Sequence, residues 1–424
     1  MSEFSDWKKA DWWYNYNIFD IFNIRTVVHF LPMGCFSSSD SQAICSRGTG
    51  EKLSESFRTN GTEADRDLIV LRSLVELEQW ESEWNQLVST NPEITSAFRW
   101  NQAWYRAHLQ HLDEMLVFLS MRDDCLSAIL PAYRQGSEIR LASDEFLLSH
   151  DLISRDDDAA RFAIISIIDW LSAEYSNFQI RWENLSVDGA ICRTFLSDDI
   201  APEEFLLFSG ESDSRPVASL GNGYPDYIRD LPEETNVELR GALREIDRDL
   251  PRAHVEIKRD YNIRVDMLTR ALRFIELNGR LCGTPFHFYE ETVSFFGELA
   301  KCEELGMQLA RLVDQGDTLS AEFGFAYRGR FYPVLYAYDS CFEQVKPYES
   351  LFISRINDWI SRSDSRSVLF PCRDEELASR LSGGDLQTMR SLTLIASRGE
   401  HHHKRPAFRD ERGCGDATSP VLAR

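Results

Sequence analysis

From Thr269 to Glu291 the chain reads TRALRFIELNGRLCGTPFHFYEE, which brings Glu276 and Gly279 close to Gly283 and Thr284. Hydrophobic periodicity then predicts helices over 271–277, 292–303 and 348–360. Runs of β-branched and aromatic residues predict strands over 307–313, 318–327, 331–338 and 367–370. This order of elements predicts an α/β (α+β) domain with a mixed sheet flanked by helices.

The first half of the chain has a similar order of predicted elements. After a strand over 68–71, one helical face is marked at intervals of three and four residues by Leu77, Trp80, Trp84 and Leu87. Strands are predicted over 115–121, 125–133, 138–141 and 178–182, with a helix over 159–173. No letter-by-letter repeat accompanies this order. The sequence therefore predicts either a duplicated α/β unit or two unrelated α+β halves.

Composition sets the expected domain boundaries. A flexible N-terminal tail (1–66) precedes a first unit (67–209), a second unit (210–395) and a flexible C-terminal tail (396–424). The linker is expected near 210–223, where Gly, Ser, Asp and Pro concentrate.

The overall charge narrows the choice of partners. The formal net charge of −23, from 69 acidic and 46 basic residues, disfavours a broad nucleic-acid or anionic-membrane footprint. Nine cysteines are scattered without a CxxC pair, which indicates neither a zinc site nor a disulfide framework and predicts a cytoplasmic protein. The sequence has no run of about 18 apolar residues, so no transmembrane helix is predicted. The oligomeric state stays open.

Several short motifs occur in a recognisable order. They are Leu77-x-x-Trp80-x-x-x-Trp84, Ala128-Ile129-Leu130-Pro131, Ser149-His150-Asp151, the Arg240, Arg244 and Arg248 series, Glu276 with Gly279, Gly283-Thr284, Tyr338-Asp339 with Pro347, and Leu369-Phe370. In this order the chain, from about 68 to 395, resembles the GNAT-superfamily acetyltransferase-like family that is related to the FemAB transferases. Bacterial members of that family are often associated with cellulose and exopolysaccharide synthesis.

The resemblance implies two tandem GNAT-like units and N-acyl transfer from an acyl-CoA, or an acyl carrier, to an amine of a sugar or envelope precursor. The chain departs from the family pattern in three places. Arg280-Leu281-Cys282 replaces a usual Trp-Lys pair, Tyr348 replaces a Gly, and Leu377-Ala378 replace a Tyr-Lys pair. These departures leave open a catalytically impaired protein that acts by binding or assembly. An aminoacyl-transferring enzyme of the FemAB type is a third reading.

Acyl transfer needs a route for the amine proton and dipoles that stabilise the oxyanion. Glu276, near a helix end, and Asp339, at a strand end, are the candidate proton acceptors, and Tyr338 is expected beside the reacting carbonyl. Each has an ordinary alternative role: Glu276 as an exposed carboxylate, Asp339 as a turn cap and Tyr338 as a packing residue. The activity also requires two parallel strands that separate enough to seat a thioester.

Binding of the donor or substrate is assigned to Arg240, Arg244, Arg248, Gly283 and Thr284. The three arginines recur every four residues, so they line one helix face, where guanidinium groups suit phosphate or carboxylate. Their alternative role is a solvated face balanced by neighbouring acids. The expected ligands are a small-molecule acyl donor and an amine acceptor, with acyl-CoA as co-substrate and no metal.

Overall fold

A computed structural model describes residues 68–91, 93–142, 146, 148–197, 205–211, 214–281, 289–371 and 376–396. The expected tails fall outside these residues, except for Ala396, which ends a strand. Gly283 and Thr284 also lie outside them.

The first sheet has eight strands, with β5 beside β3 and the others in the order β1-β2-β3-β4-β6-β15-β7. These strands are β1 (Leu68–Leu71), β2 (Glu114–Arg122), β3 (Cys125–Gln135), β4 (Glu138–Leu141), β5 (Ile153–Ser154), β6 (Gln179–Ser186), β7 (Phe205–Glu211) and β15 (Met389–Ala396). Asp123 and Asp124 both have positive φ, 53° and 57°, which is the conformation that a tight two-residue hairpin turn requires.

The second sheet has seven strands in the order β14-β8-β13-β12-β11-β10-β9. They are β8 (Arg215–Ser219), β9 (His254–Arg259), β10 (Met307–Asp314), β11 (Asp317–Tyr327), β12 (Arg330–Tyr338), β13 (Ser367–Leu369) and β14 (Leu386–Gln387). In both sheets one pair of strands is parallel, β4 with β6 and β12 with β13, and the other pairs between neighbouring strands are antiparallel.

Helices cover the faces of the sheets. They are α1 (Leu74–Glu78), α2 (Glu81–Leu87), α3 (Phe98–His108), α4 (Asp157–Glu174), α5 (Ala190–Ser197), α6 (Tyr224–Asp230), α7 (Glu233–Asp249), α8 (Val265–Leu281), α9 (Glu290–Leu299), α10 (Pro347–Ser363) and α11 (Glu376–Leu381). None of the described helices is both long and apolar enough to cross a membrane.

The described residues form three hydrophobic cores. The central core joins α3 and α9 and includes Trp100, which makes edge contacts with Phe295 and Phe325 at centroid distances of 5.1 and 5.3 Å. The first outer core lies between the first sheet and α4, and the second outer core lies between the second sheet and α10. Because the central core takes residues from both halves, neither half alone buries α3 or α9.

The predicted strands and helices are largely confirmed. Strands 68–71 and 138–141 have the predicted bounds, and the hairpins of both halves agree within two residues at each end. The helix predicted around Trp80 is split into α1 and α2 at Gln79 and Trp80. The sequence did not predict β9, nor that the expected linker near 210–223 contains β8.

The halves exchange one strand each. β7 belongs to the first sheet and β8, which follows it, belongs to the second, where it lies between β13 and β14. At the other end of the chain, β14 belongs to the second sheet and β15, which follows it, lies in the first between β6 and β7. β8 and β15 therefore occupy equivalent positions in opposite sheets. The boundary between the two units at residue 210 stays a prediction from the sequence, because each sheet contains a strand from the other side of it.

An ion cluster also joins the halves. The Glu93 carboxylate accepts hydrogen bonds from Arg330 at 2.6 Å and from both terminal nitrogens of Arg215 at 3.2 Å. Arg215 is fully buried and lies over the Tyr332 ring. A buried guanidinium needs a carboxylate partner. Glu93 thus ties the segment before α3 to β8 and β12.

Candidate functional site

Two parallel strands of the second sheet, β12 and β13, separate along their length. The seating of an acyl thioester between strands requires such a separation. β12 and β13 pair only at Arg330 with Ser367 and at Phe331 with Val368. Beyond that point the backbone follows β8, since the N–H of Phe370 donates to the Pro216 carbonyl at 3.0 Å. A bulge between β11 and β12, at Phe323 and Gly324, bends β12 further.

Aromatic side chains fill the space between the diverging ends. Tyr336 of β12 stacks on Tyr348 of α10 at 4.7 Å and meets Phe370 edge-on at 6.2 Å. Phe352 stacks on Phe370 at 5.8 Å. All four rings are buried. The expectation of an open cleft for a thioester is therefore wrong for the described residues. Tyr348, which stands where the resemblance implies a Gly, occupies the space between the strands.

A buried polar network holds Tyr348. Its hydroxyl donates to Glu322 Oε2 at 2.6 Å, and the other carboxylate oxygen of Glu322 accepts from Arg355. Arg355 also donates to Gln308. Its guanidinium lies 4.8 Å from both the Phe331 and Trp359 ring centroids. Burial lowers the pKa of Arg355 to about 9. The network fixes α10 to the sheet from Tyr348 in its first turn to Arg355 in its third.

The three candidate catalytic residues lie around β12, but on different sides of it. Asp339 Oδ1 accepts from the Cys341 N–H at 2.9 Å, so Asp339 caps the following turn. Tyr338 packs against the second outer core. Glu276 is half-buried on α8, whose buried residues belong to the central core on the opposite face of the sheet. Their joint catalytic role stays a prediction.

The arginine series lies on the exposed face of α7. The buried residues of this helix, Leu239, Ala242 and Ile246, face the second outer core, and Arg240, Arg244 and Arg248 are exposed. Arg248 pairs with its neighbour Asp249 at 2.7 Å. A solvated face of this kind contributes little to stability. The role of these arginines in donor binding stays a prediction.

The start of α10 carries a separate ion cluster that the sequence analysis missed. Glu238 of α7 contacts Lys346 and Arg380, and Arg380 also contacts Glu349 at 2.9 Å. Partial burial opposes the ionisation of Glu238, but the hydrogen bond from Lys346 and the charge of Arg380 together lower its pKa. No sequence signal marks the cluster, because Glu238 is 108 residues from Lys346 and 142 residues from Arg380 in the chain.

In the first sheet the corresponding gap is closed by backbone. β4 and β6 pair only at Glu138 with Gln179 and at Ile139 with Ile180. The chain then returns, and the His150 N–H donates to the Asn184 carbonyl at 3.1 Å. A cavity of about 10 Å³, room for about one water molecule, remains beside His150 and Asp151. His150 is buried beside this cavity, and Asp151 is half-buried.

Asp151 caps α5 across the gap. Its carboxylate accepts from the N–H groups of Ala190 at 2.5 Å and Ile191 at 2.9 Å. A Cβ on Gly189 would lie 2.5 Å from the Asp151 Oδ2, so only glycine allows this approach. Burial raises the pKa of Asp151 to about 6, although these N–H donors oppose the rise.

The raised pKa of Asp151 predicts a pH-dependent stability. The folded state binds this proton more tightly than the unfolded chain, so stability is lost as pH rises through about 4 to 6, by at most about 3 kcal/mol. Asp151→Asn should therefore gain stability relative to the wild type between pH 4 and pH 7. Urea unfolding at four pH values measures this, with Asp169→Asn, an exposed acid of α4, as the control. If the free energies of unfolding of the wild type and of Asp151→Asn change with pH in the same way, Asp151 is not the cause of the pH dependence.

Comparison with known proteins adds to this geometry. Residues 238–376 match the family model described as an acetyltransferase (GNAT) domain. This part of the chain, about a third of its length, is similar to a GNAT domain. The first half repeats its order of strands and helices, so the chain contains two tandem GNAT-like units. Among the described residues no group of acidic, His or Cys side chains could hold a metal ion.

Two solved structures share this fold. FemX aligns over 74% of this chain and 95% of its own, with 10% identity and a TM-score of 0.52. A conserved protein of unknown function from Bacteroides thetaiotaomicron aligns over 77% of this chain and 100% of its own, with 12% identity and a TM-score of 0.50. At such identities the likeness concerns the fold alone. A sequence search of curated proteins finds no match.

Proposed function

We propose that the chain is an N-acyltransferase that moves an acyl group from acyl-CoA, or an acyl carrier, to an amine of a sugar or of an envelope or exopolysaccharide precursor. The observation that carries the proposal is the GNAT domain over 238–376, with the parallel strands β12 and β13 that separate after two residue pairs. A donor held between such strands is positioned for direct attack by an amine, with no covalent enzyme intermediate.

The roles proposed for the residues follow the order of the reaction. The amine attacks the thioester carbonyl, the amine proton passes to Glu276 or Asp339, and the carbon–sulfur bond breaks. CoA leaves as the thiolate, which takes up that proton to become the free thiol. We assign to Tyr338 a position beside the carbonyl, and to Gly283, Thr284 and the three arginines the binding of donor or acceptor. Tyr348 must leave the gap before a thioester enters, so the filled gap describes a closed state of the site.

The proposal predicts binding and transfer that depend on the two carboxylates. Isothermal titration of the full chain with acetyl-CoA and longer acyl-CoAs should give heat, and Glu276→Gln or Asp339→Asn should lower kcat by roughly 10²–10⁴ if that residue accepts the proton. Glu290→Gln, an exposed acid of α9, is the control. The absence of heat with any acyl-CoA would count decisively against the proposal.

A second candidate function is favoured by the filled gaps. With aromatic rings between β12 and β13 and backbone between β4 and β6, the chain could keep the fold for binding or assembly. Under this alternative, Glu276→Gln and Asp339→Asn leave the cellular phenotype unchanged, whereas destabilisation of the fold abolishes it. We place either function in the cytoplasm because the cysteines are scattered through the sequence without a CxxC pair. We propose no role for nucleic acid or metal.

A further inference from the structure

β7 forms an edge of the first sheet that is open to pairing. Within the described residues it pairs only with β15, in a register that runs from Arg390 with Glu211 to Ala396 with Phe205 without a bulge. Proteins usually protect an edge strand by making it short, by placing charged side chains or proline on it, or by bending it with a bulge. β7 has none of these features up to Gly210, since its sequence is FLLFSGE and only its last residue is charged.

The other edges of the two sheets are protected in the usual ways. β9 carries charged side chains at Glu256, Lys258 and Arg259, and β14 has only two residues. β1 has four residues, all of them buried or half-buried. Among the edge strands that the structure describes, β7 is therefore the one that offers a further strand six uncharged residues in a row.

The outer face of this edge is apolar. Side chains alternate along β7, so Phe205 and Leu207 face the first outer core, whereas Leu206 and Phe208 point away from it. Leu206 is 52% exposed and Phe208 is 55% exposed, and Ile395, which lies opposite Leu206 on β15, is 37% exposed. An apolar patch beside an open sheet edge indicates a surface that pairs with another strand.

A second copy of the chain fits this edge by symmetry. Two identical strands that pair antiparallel in one sheet are related by a two-fold axis perpendicular to the sheet, so each face stays on the same side in both copies. Residues that lie opposite each other then point to the same face, and the axis passes between the two copies of a single residue. An axis at Leu207 places Leu206 opposite Phe208 of the partner subunit, and the two-fold axis creates this apolar pair twice.

The register centred on Leu207 uses the patch better than the next register does. An axis at Phe208 would place Leu206 opposite Gly210 of the partner subunit, which offers no side chain to pack against. An axis at Leu207 pairs residues 205–209 of the two copies, so Glu211 stays outside the paired segment. The two carboxylates of Glu211 therefore do not meet.

We propose that the chain forms a homodimer in which β7 pairs with β7 of a second copy across a two-fold axis at Leu207. The two first sheets then join into one continuous sheet. The exposed parts of Leu206, Phe208 and Ile395, together with the open backbone edge, correspond to about 1,000 Å² buried over both copies, which is at the low end of specific interfaces. A weak dimer follows, with a Kd on the order of 10 µM. The inference does not depend on the proposed function, because β7 lies outside residues 238–376.

Sedimentation equilibrium of the full chain from about 1 to about 500 µM measures the dimer. Phe208→Glu should raise the Kd at least roughly tenfold, because it places a carboxylate in both apolar cross-strand pairs. Phe162→Glu is the matched control, since Phe162 is an exposed aromatic residue of α4 and the change adds the same charge. The control should keep the wild-type Kd. Thermal melts identify a variant that has not folded, and Leu206→Ser, which adds no charge, then serves as the second variant with a raised Kd.

Disulfide formation between the copies tests the register. Opposite Cα atoms of an antiparallel pair are about 4.5–5.5 Å apart, which is within the range of a disulfide, so oxidised Leu207→Cys should become a covalent dimer. In the same register the two cysteines of Phe208→Cys lie about 8 Å apart, which is too far for a disulfide. The wild type under the same oxidation gives the background from the exposed Cys125 and Cys341.

A wild type that stays monomeric over the whole concentration range would overturn the inference, and the edge would then be open to a different protein. Equal Kd values of Phe208→Glu and Phe162→Glu would also overturn it, as would cross-linking of Phe208→Cys in place of Leu207→Cys. Salt provides a further check. Because each copy carries a formal net charge of −23, added NaCl screens their repulsion and should tighten the dimer. A dimer that dissociates when NaCl is added would be held by charged groups and would contradict pairing through β7.

Discussion

Removal of residues 388–424 is expected to abolish the cooperative unfolding of the first sheet. β15 pairs with β6 on one side and with β7 on the other, so its loss breaks two antiparallel ladders. It also removes Leu392 and Leu394 from the first outer core, where both are fully buried. Loss of one buried leucine costs about 2–5 kcal/mol, so two approach the whole stability of a typical domain.

Circular dichroism melts and amide hydrogen exchange measure this effect. The matched control is a chain that ends at Ala396, which keeps β15 and lacks only the residues after it. The truncated chain should show lost protection in β6 and β7, whereas the control should keep it. A truncated chain that melts within a few degrees of the control would show that β15 is dispensable and that the exchange of strands does not support the first sheet.

Glu322→Gln is expected to destabilise the chain by about 3–5 kcal/mol, because it leaves the fully buried Arg355 without its carboxylate. The same change weakens the acceptor of the Tyr348 hydroxyl. Equilibrium unfolding in urea measures the loss. The replacement of both partners, Glu322→Leu with Arg355→Met, should cost less than Glu322→Gln alone, because no buried charge then lacks a partner.

Arg362→Gln is the control for this network. Arg362 lies on the same helix and pairs with Asp358 at 3.0 Å, but its side chain is 67% exposed. Its loss should cost less than about 1 kcal/mol. A cost for Glu322→Gln no larger than that of Arg362→Gln would mean that water reaches Arg355 and that the network does not hold α10 in place.

The strands and helices were predictable because their signals are local. Asp123-Asp124 and Gln315-Gly316-Asp317 separate runs of apolar residues, and the hairpins form at these turns in the structure. β9 and β15 were missed because neither has such a turn pattern on both sides, and the pairing partners of each are distant in the chain.

The candidate site was less predictable for the same reason. The periodicity of Arg240, Arg244 and Arg248 placed them on one helix face, but only packing shows that this face points to solvent. Likewise, the sequence marks Tyr348 as a departure from the family pattern, but its contact with Glu322 connects a helix to a strand 26 residues earlier. Interactions between side chains on different elements leave no periodic trace in the sequence.

By itself, the sequence determined the elements of two α/β units and their order, because hydrophobic periodicity and turn residues act over a few neighbouring positions. The tertiary structure alone decided which sheet receives β8 and β15, how Glu238 meets Lys346 and Arg380, and that aromatic rings fill the gap beside β12. These outcomes depend on long-range burial and charge pairing, which form only when distant segments pack together.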